Sequence, residues 1–175
     1  MNDRLCLRRL TTVLAALTLW GCERDDICPE NTAGTPAARV EFRTYDAAGE
    51  AVEYAPQGVR FYGLRGKERL AELTGGDGAT WLQLPVDFEA ETSRYLIEQA
   101  GRTDTLTLHY TPELEFISKA CGFRFVFSGM TALCTADGPV LSFTDDLQTP
   151  PADGRLFDSR QTVATLYFPS ETPQP

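Results

Sequence analysis

Histidine, tryptophan and basic charge are all scarce in this chain, and each scarcity removes a class of function. One histidine, His109, stands among 175 residues. Neither a Ser-His-Asp triad nor a His-rich metal site is easily built around it, and the chain contains no GxSxG, HExxH, GxxxxGK[ST] or CxxC pattern. Sixteen Lys and Arg face 25 Asp and Glu, a formal charge of −9, which argues against a phosphate-backbone partner such as nucleic acid. Long apolar runs are missing too. The clearest, Leu10 to Leu19, is about half the roughly 20 residues needed to span a bilayer.

That short run has a different use. Arg4, Arg8 and Arg9 precede it, and Leu19-Trp20-Gly21-Cys22 closes it. A basic start, a short apolar stretch and a small residue before cysteine form the layout of a secretory signal ending in a lipobox. Residues 1–21 are therefore expected to be a lipoprotein signal peptide, with Cys22 as the lipidation site. Removing residues 1–21 from 175 leaves 154, enough for one core that buries about 70% of the unfolded surface. The cut also removes three Arg and Asp3, taking the formal charge from −9 to −11. With no basic patch to hold a membrane, the anchor must be acyl chains, each buried CH₂ contributing about 0.8 kcal/mol. Glu23, Asp25 and Asp26 just after Cys22 resemble signals that direct lipoproteins to the outer membrane, with the periplasmic face and the cell surface both open.

Cysteine usage agrees with an oxidising compartment. Setting aside Cys6 and Cys22 leaves Cys28, Cys121 and Cys134, hence one bridge and one leftover thiol. Chain entropy does not choose among the three pairings. The long closure from Cys28 to Cys121 is worth about 4 to 5 kcal/mol and the short one from Cys121 to Cys134 about 3, a difference that native strain can outweigh.

The folded part reads as all-β. After Cys28, the stretch Pro29 to Ala38 is rich in Pro, Gly, Thr and Ala and reads as a tether. From Arg39 on, short β-branched and aromatic segments alternate with turn signals. Arg39 to Tyr45 places Val40 and Phe42 on one face, and Asp46 to Gly49 turns the chain. Val59 to Leu64, Thr80 to Leu84, Arg94 to Gln99, Thr103 to Tyr110, Val140 to Thr144 and Gln161 to Phe168 follow the same pattern. Ala100-Gly101-Arg102 is a compact hairpin signal. Within Thr103 to Tyr110, residues Leu106, Leu108 and Tyr110 should face inward and Thr105, Thr107 and His109 outward. Phe123, Phe125 and Phe127 stand at strict period two, which predicts three core rings. Gly75-Gly76-Asp77-Gly78 reads as a hairpin loop, Asp137-Gly138 and Asp153-Gly154 as turns, and Gly66 to Leu73 as a helical turn or a further strand. No crossover helix is visible, so the expected fold is an antiparallel two-sheet β-sandwich of about eight strands. The organisation is signal peptide 1–21, lipidated N-terminus and tether 22–38, sandwich 39–169 and loose tail 170–175.

Candidate chemistry is thin. Glu89 with Glu91, Glu113 with Glu115, and Asp145 with Asp146 would run glycoside hydrolysis only if opposed across a cleft about 5 to 10 Å wide. Asp145 and Asp146 lack the spaced ligand loop of a calcium site. Tyr45, Tyr54, Tyr62 and Trp81 would stack on sugars if they lie flat on the surface. No catalytic residue, cofactor or metal ligand is assigned. A non-enzymatic envelope protein with a binding or assembly role is expected, having an envelope protein or a glycan as partner. Carbohydrate binding is the alternative and a carboxylate glycosidase the remoter one.

Cys22 followed by Glu23-Arg24-Asp25-Asp26-Ile27-Cys28, then Thr35-Pro36, Arg39-Val40-Glu41-Phe42, Ser118-Lys119-Ala120-Cys121-Gly122-Phe123 and Leu166-Tyr167-Phe168, together resemble small bacterial lipoproteins of domain-of-unknown-function family 6452. The resemblance implies that Cys28 and Cys121 form the disulfide. It implies no activity, and therefore no catalytic residue.

Overall fold

The computed structural model describes residues 27–30, 32–148 and 154–170. The signal peptide, Cys22 and the acidic residues after it lie outside the described residues, as do Asp153 and the tail beyond Ser170. Ten strands and no helix occur among the described residues. They are β1 (Ala38–Tyr45), β2 (Ala51–Glu53), β3 (Arg60–Arg65), β4 (Glu68–Leu73), β5 (Trp81–Leu84), β6 (Thr92–Gln99), β7 (Arg102–Ser118), β8 (Gly122–Cys134), β9 (Ser142–Asp145) and β10 (Thr162–Tyr167). The expected two-sheet fold holds, with ten strands where about eight were expected. The additions are the three-residue β2, too short to show a period, and β4, which resolves Gly66 to Leu73 as a strand.

Sheet A runs β2-β1-β10-β9, with β5 also on β1. Both β2 and β5 use the same edge of β1: Arg43 to Tyr45 pairs with β2 and Ala38 to Glu41 with β5. On the other edge β1 pairs with β10 in parallel, a departure from the all-antiparallel expectation. A parallel neighbour requires a long connection, and here it is the whole intervening domain rather than a crossover helix. Sheet B runs β4-β3-β6-β7-β8, and its β3–β4, β3–β6 and β6–β7 pairs are antiparallel. Ala100 and Gly101 take φ of 50° and 77° between paired Gln99 and Arg102, the left-handed pair a type I′ hairpin requires. β7 continues past Tyr110 to Ser118, beyond the stretch the sequence marked. The Tyr110 amide makes the last bond towards β6, to Glu91, so Pro112, which has no N–H, falls where that edge is already open.

The inner faces meet in one apolar core. Val40 and Phe42 of β1 and Leu106, Leu108 and Tyr110 of β7 are buried, as their alternation requires. Phe42 from sheet A stacks on Phe61 from sheet B with ring centroids 5.4 Å apart and meets Phe168 edge-on at 5.7 Å. The three-ring expectation for β8 is corrected. Phe127 is fully buried, Phe125 is partly buried and stacks on exposed Phe88, and Phe123 is exposed. The core simply ends before Phe123. Further along β8, Met130 and Ala132 are buried while Leu133 is exposed, so the inward phase slips by one residue. Gly129, at φ 58°, stands between the two phases.

The glycine cluster is corrected as well. β4 pairs only with β3 and β5 only with β1, so Gly75 to Gly78 is not a hairpin loop but carries the chain from sheet B to sheet A. Gly76 passes so close to Phe61 that a Cβ would stand 2.7 Å from its ring.

Asp104 precedes Leu106 on the inward face of β7 and is 1% exposed. Its carboxylate accepts hydrogen bonds from Thr135 Oγ1 (2.6 Å) and the amides of Asp137 (2.8 Å), Gly138 (2.9 Å) and Val140 (2.8 Å). Burial alone would raise its pKa, but the bonds from Thr135 and the Val140, Asp137 and Gly138 amides outweigh it, and the net direction is downward. The cluster fixes the segment after β8. Gly138 lies against the β7 backbone there, and an added Cβ would come within 2.4 Å of the Thr103 carbonyl oxygen.

Contacts divide the chain into two compact units. The larger holds residues 33–115 and 124–175; the smaller holds residues up to 32 and Phe116–Phe123. Within the larger, Pro36 is buried, the Ala37 amide donates to Ser159 Oγ and the Phe125 amide to Thr35 Oγ1. Within the smaller, Cys28 and Cys121 form a disulfide with Cα atoms 4.9 Å apart. The Ser118 hydroxyl accepts from the Cys121 amide and shapes the turn.

Candidate functional site

The outer face of sheet A brings two exposed aromatic residues, Tyr45 and Trp81, beside a linked set of arginines and a glutamate. Alternation along β1 sends Arg39, Glu41, Arg43 and Tyr45 outward while Val40 and Phe42 enter the core. Register then adds Trp81 of β5 opposite Glu41, Gln83 opposite Arg39, and Tyr167 of β10 beside Arg43. Glu41 sits at the centre. Its carboxylate lies 3.4 Å from Arg39 Nε and 3.6 Å from Arg43 Nη2 and accepts from Thr162 Oγ1 at 2.9 Å.

Trp81 remains 42% exposed, and the Arg39 guanidinium carbon stands 4.5 Å from its ring centroid, a cation–π contact. Tyr45 is 41% exposed and stacks on Tyr167 at 5.0 Å with the rings 9° apart. Four residues of β1 separate the position opposite Trp81 from Tyr45, about 13 Å along the strand. The face thus carries two aromatic stations with arginines and a carboxylate between them. A cavity of about 540 Å³ opens beside the indole, lined by Thr74, Gly75, Gly78, Thr80, Trp81 and Gln83. At the far side, Asp146 accepts from Thr165 Oγ1 at 2.8 Å. Burial lifts its carboxyl above the usual carboxylate range; the negative charges of Glu41 and Asp145 add to that rise, while the Thr165 bond and Arg43 oppose it.

The four aromatics named from the sequence therefore part company. Trp81 and Tyr45 lie on the open face, whereas Tyr54 packs against the core. Tyr62 is buried, with the Arg69 guanidinium carbon 3.6 Å from its ring centroid and its hydroxyl donating to Glu72. Tyr167 was not singled out, although its place in Leu166-Tyr167-Phe168 between two buried residues marks it as outward.

Four of the six paired carboxylates named from the sequence, Glu113, Glu115, Asp145 and Asp146, go to structural contacts. Glu115 pairs with Arg124 at 2.6 Å and Glu113 with Arg155 at 3.6 Å, while Asp145 accepts from the Ala132 amide. His109 is exposed, its Nδ1 3.3 Å from Thr92 Oγ1. No group of three or more His, Cys, Asp or Glu suited to a metal occurs among the described residues.

A model of a family of unknown function, DUF6452, matches residues 62–148. That match accords with the resemblance to DUF6452 carried by the sequence blocks. Among curated proteins and among solved structures nothing matches the chain. The DUF6452 segment contains Trp81, Gln83, Asp104 and Cys121, while Arg39, Glu41, Tyr45, Tyr167 and Cys28 lie outside it. The aromatic face is thus assembled from DUF6452 strand β5 and from strands on both sides of the matched segment. Cys134, also inside the segment, is a free thiol. Burial raises its pKa to about 11.

Proposed function

We propose that this chain is a non-enzymatic binding module of the bacterial outer membrane, anchored by acyl chains on Cys22, and that it binds carbohydrate on the outer face of sheet A. One observation carries the choice of ligand: Trp81 presents an open indole beside a cavity of about 540 Å³ edged by Thr74, Thr80 and Gln83. Sugars offer apolar C–H faces to stack on rings and hydroxyls to pair with side-chain amides and hydroxyls, and β5 with the loop before it carries both kinds of group. Arginine and carboxylate groups next to the ring suit further hydroxyl contacts.

Cleavage at Gly21 would leave Trp81 as the one tryptophan of the mature chain, since the sequence has only two. Indole fluorescence then reports directly on the site. Titrating the membrane-extracted protein with a panel of envelope oligosaccharides should give a saturable change in emission with at least one member. Trp81→Phe should remove the signal, and Gln83→Ala should weaken binding at least fivefold by an independent measurement. No response to any oligosaccharide, with the same panel failing to bind by calorimetry, would overturn the glycan reading. The anchor is tested separately by intact mass, which should show residues 1–21 gone and fatty acyl chains on Cys22.

A further inference from the structure

Within the smaller unit, Phe116 and Phe123 flank the turn between β7 and β8, their ring centroids 5.2 Å apart, and remain 56% and 61% exposed. Ile27 is 82% exposed. Single exposed apolar residues need no explanation, but a clustered aromatic pair calls for one. The covalent connection supplies it. Cys121 lies in the turn between the two phenylalanines and is bonded to Cys28, and Cys28 follows Cys22 by six residues. Six residues at full extension reach about 20 Å, less than the thickness of a bilayer's hydrocarbon core.

Resting on the acylation of Cys22 proposed above, we infer that the tip of the β7–β8 hairpin is a second membrane contact, with Phe116, Phe123 and Ile27 entering the headgroup boundary of the leaflet that holds the acyl chains. The turn Ser118-Lys119-Ala120-Cys121-Gly122 carries one basic residue and no acid, whereas the tether carries Glu23, Asp25 and Asp26. The partner is accordingly a zwitterionic lipid surface, which aromatic side chains enter through apolar burial. The disulfide holds the hairpin tip to the tether, so that acyl insertion brings the rings to the same surface.

The acylated protein carrying Trp81→Phe and Phe123→Trp has a single indole, placed at the tip. Reconstituted into phosphatidylcholine vesicles, it should emit about 10 nm further to the blue than an unacylated version lacking residues 1–22 in buffer, consistent with an interfacial ring. Phosphatidylcholine spin-labelled near the headgroup should quench it at least twofold, and reducing the disulfide should relieve most of that quenching. Protein that carries acyl mass and floats with the vesicles, yet shows water-like emission without quenching, would overturn the inference and leave the anchor intact. Quenching that is unchanged after reduction would overturn the role given to the disulfide. A mass spectrum without acyl chains would instead withdraw the anchor, and this inference with it.

Discussion

Sheets A and B share one core but are built from the chain in opposite ways. Three of the four neighbour pairs of sheet B are joined by short turns, β3 to β4 and β6 to β7 to β8. Sheet A is gathered from both ends of the domain: β1 lies beside β10, and β5 arrives through a loop from the other sheet. Contacts local in sequence close with little loss of chain entropy, and distant ones form late in folding. Sheet B is therefore the natural place for folding to begin and sheet A the place where it is completed.

Asp104 offers the hardest test, because it ties β7 of sheet B to the segment leading towards β9 of sheet A. Asp104→Ala leaves several buried donors without their acceptor and should cost about 4 kcal/mol at neutral pH, read from urea unfolding. The pH dependence has a definite sign. A carboxyl whose folded pKa is depressed contributes stability that is present above its unfolded value near 3.9 and lost as pH falls through the folded value. The wild type should therefore lose stability more steeply below about pH 4 than Asp104→Asn. Gly138→Ala drives a methyl group against the Thr103 carbonyl and should cost about 2 to 3 kcal/mol. If it proves neutral, the junction is softer than the packing indicates.

Smaller changes separate the sheets kinetically. Thr44 Oγ1 donates to the Phe168 carbonyl at 3.0 Å across the ends of sheet A, and Thr44→Val should cost about 1 kcal/mol, expressed chiefly as faster unfolding. Ala100, held at φ 50° in the β6–β7 turn, should accept glycine with a gain of about 0.5 to 1 kcal/mol, expressed chiefly as faster folding. Stopped-flow chevrons of the two variants would reverse the assignment of early and late sheets if the limbs responded the other way round.

What the sequence disclosed follows the same division. The alternation of β1 and β7, the Asp46 turn and the Ala100-Gly101 hairpin are local patterns, and each occurs where the residues placed it. The β1–β10 pairing leaves no local trace, because it depends on surfaces more than a hundred residues apart. Phe123 looks like Phe127 by spacing and differs only in lying past the end of the core. Asp104 shares the inward parity of Leu106, Leu108 and Tyr110, which was a usable signal. Nothing else local marks a carboxylate there as buried, since its partners arrive from residues 135 to 140. On the candidate face, Trp81 and Tyr45 were named from composition, whereas Tyr167 and the arginine over the indole required the strand register.

The parallel pairing of β1 and β10 has a mechanical consequence. Residues upstream of β1 and downstream of β10 leave this ladder at opposite ends, so a pull between them acts along the strands and not across them. Its paired positions, from Arg39 with Thr162 to Arg43 with Tyr167, would bear such a load in shear and give way together, whereas a hairpin opened from one end yields one bond at a time. For a domain tethered on its N-terminal side and tugged from its C-terminal side, the first and last strands form a clasp.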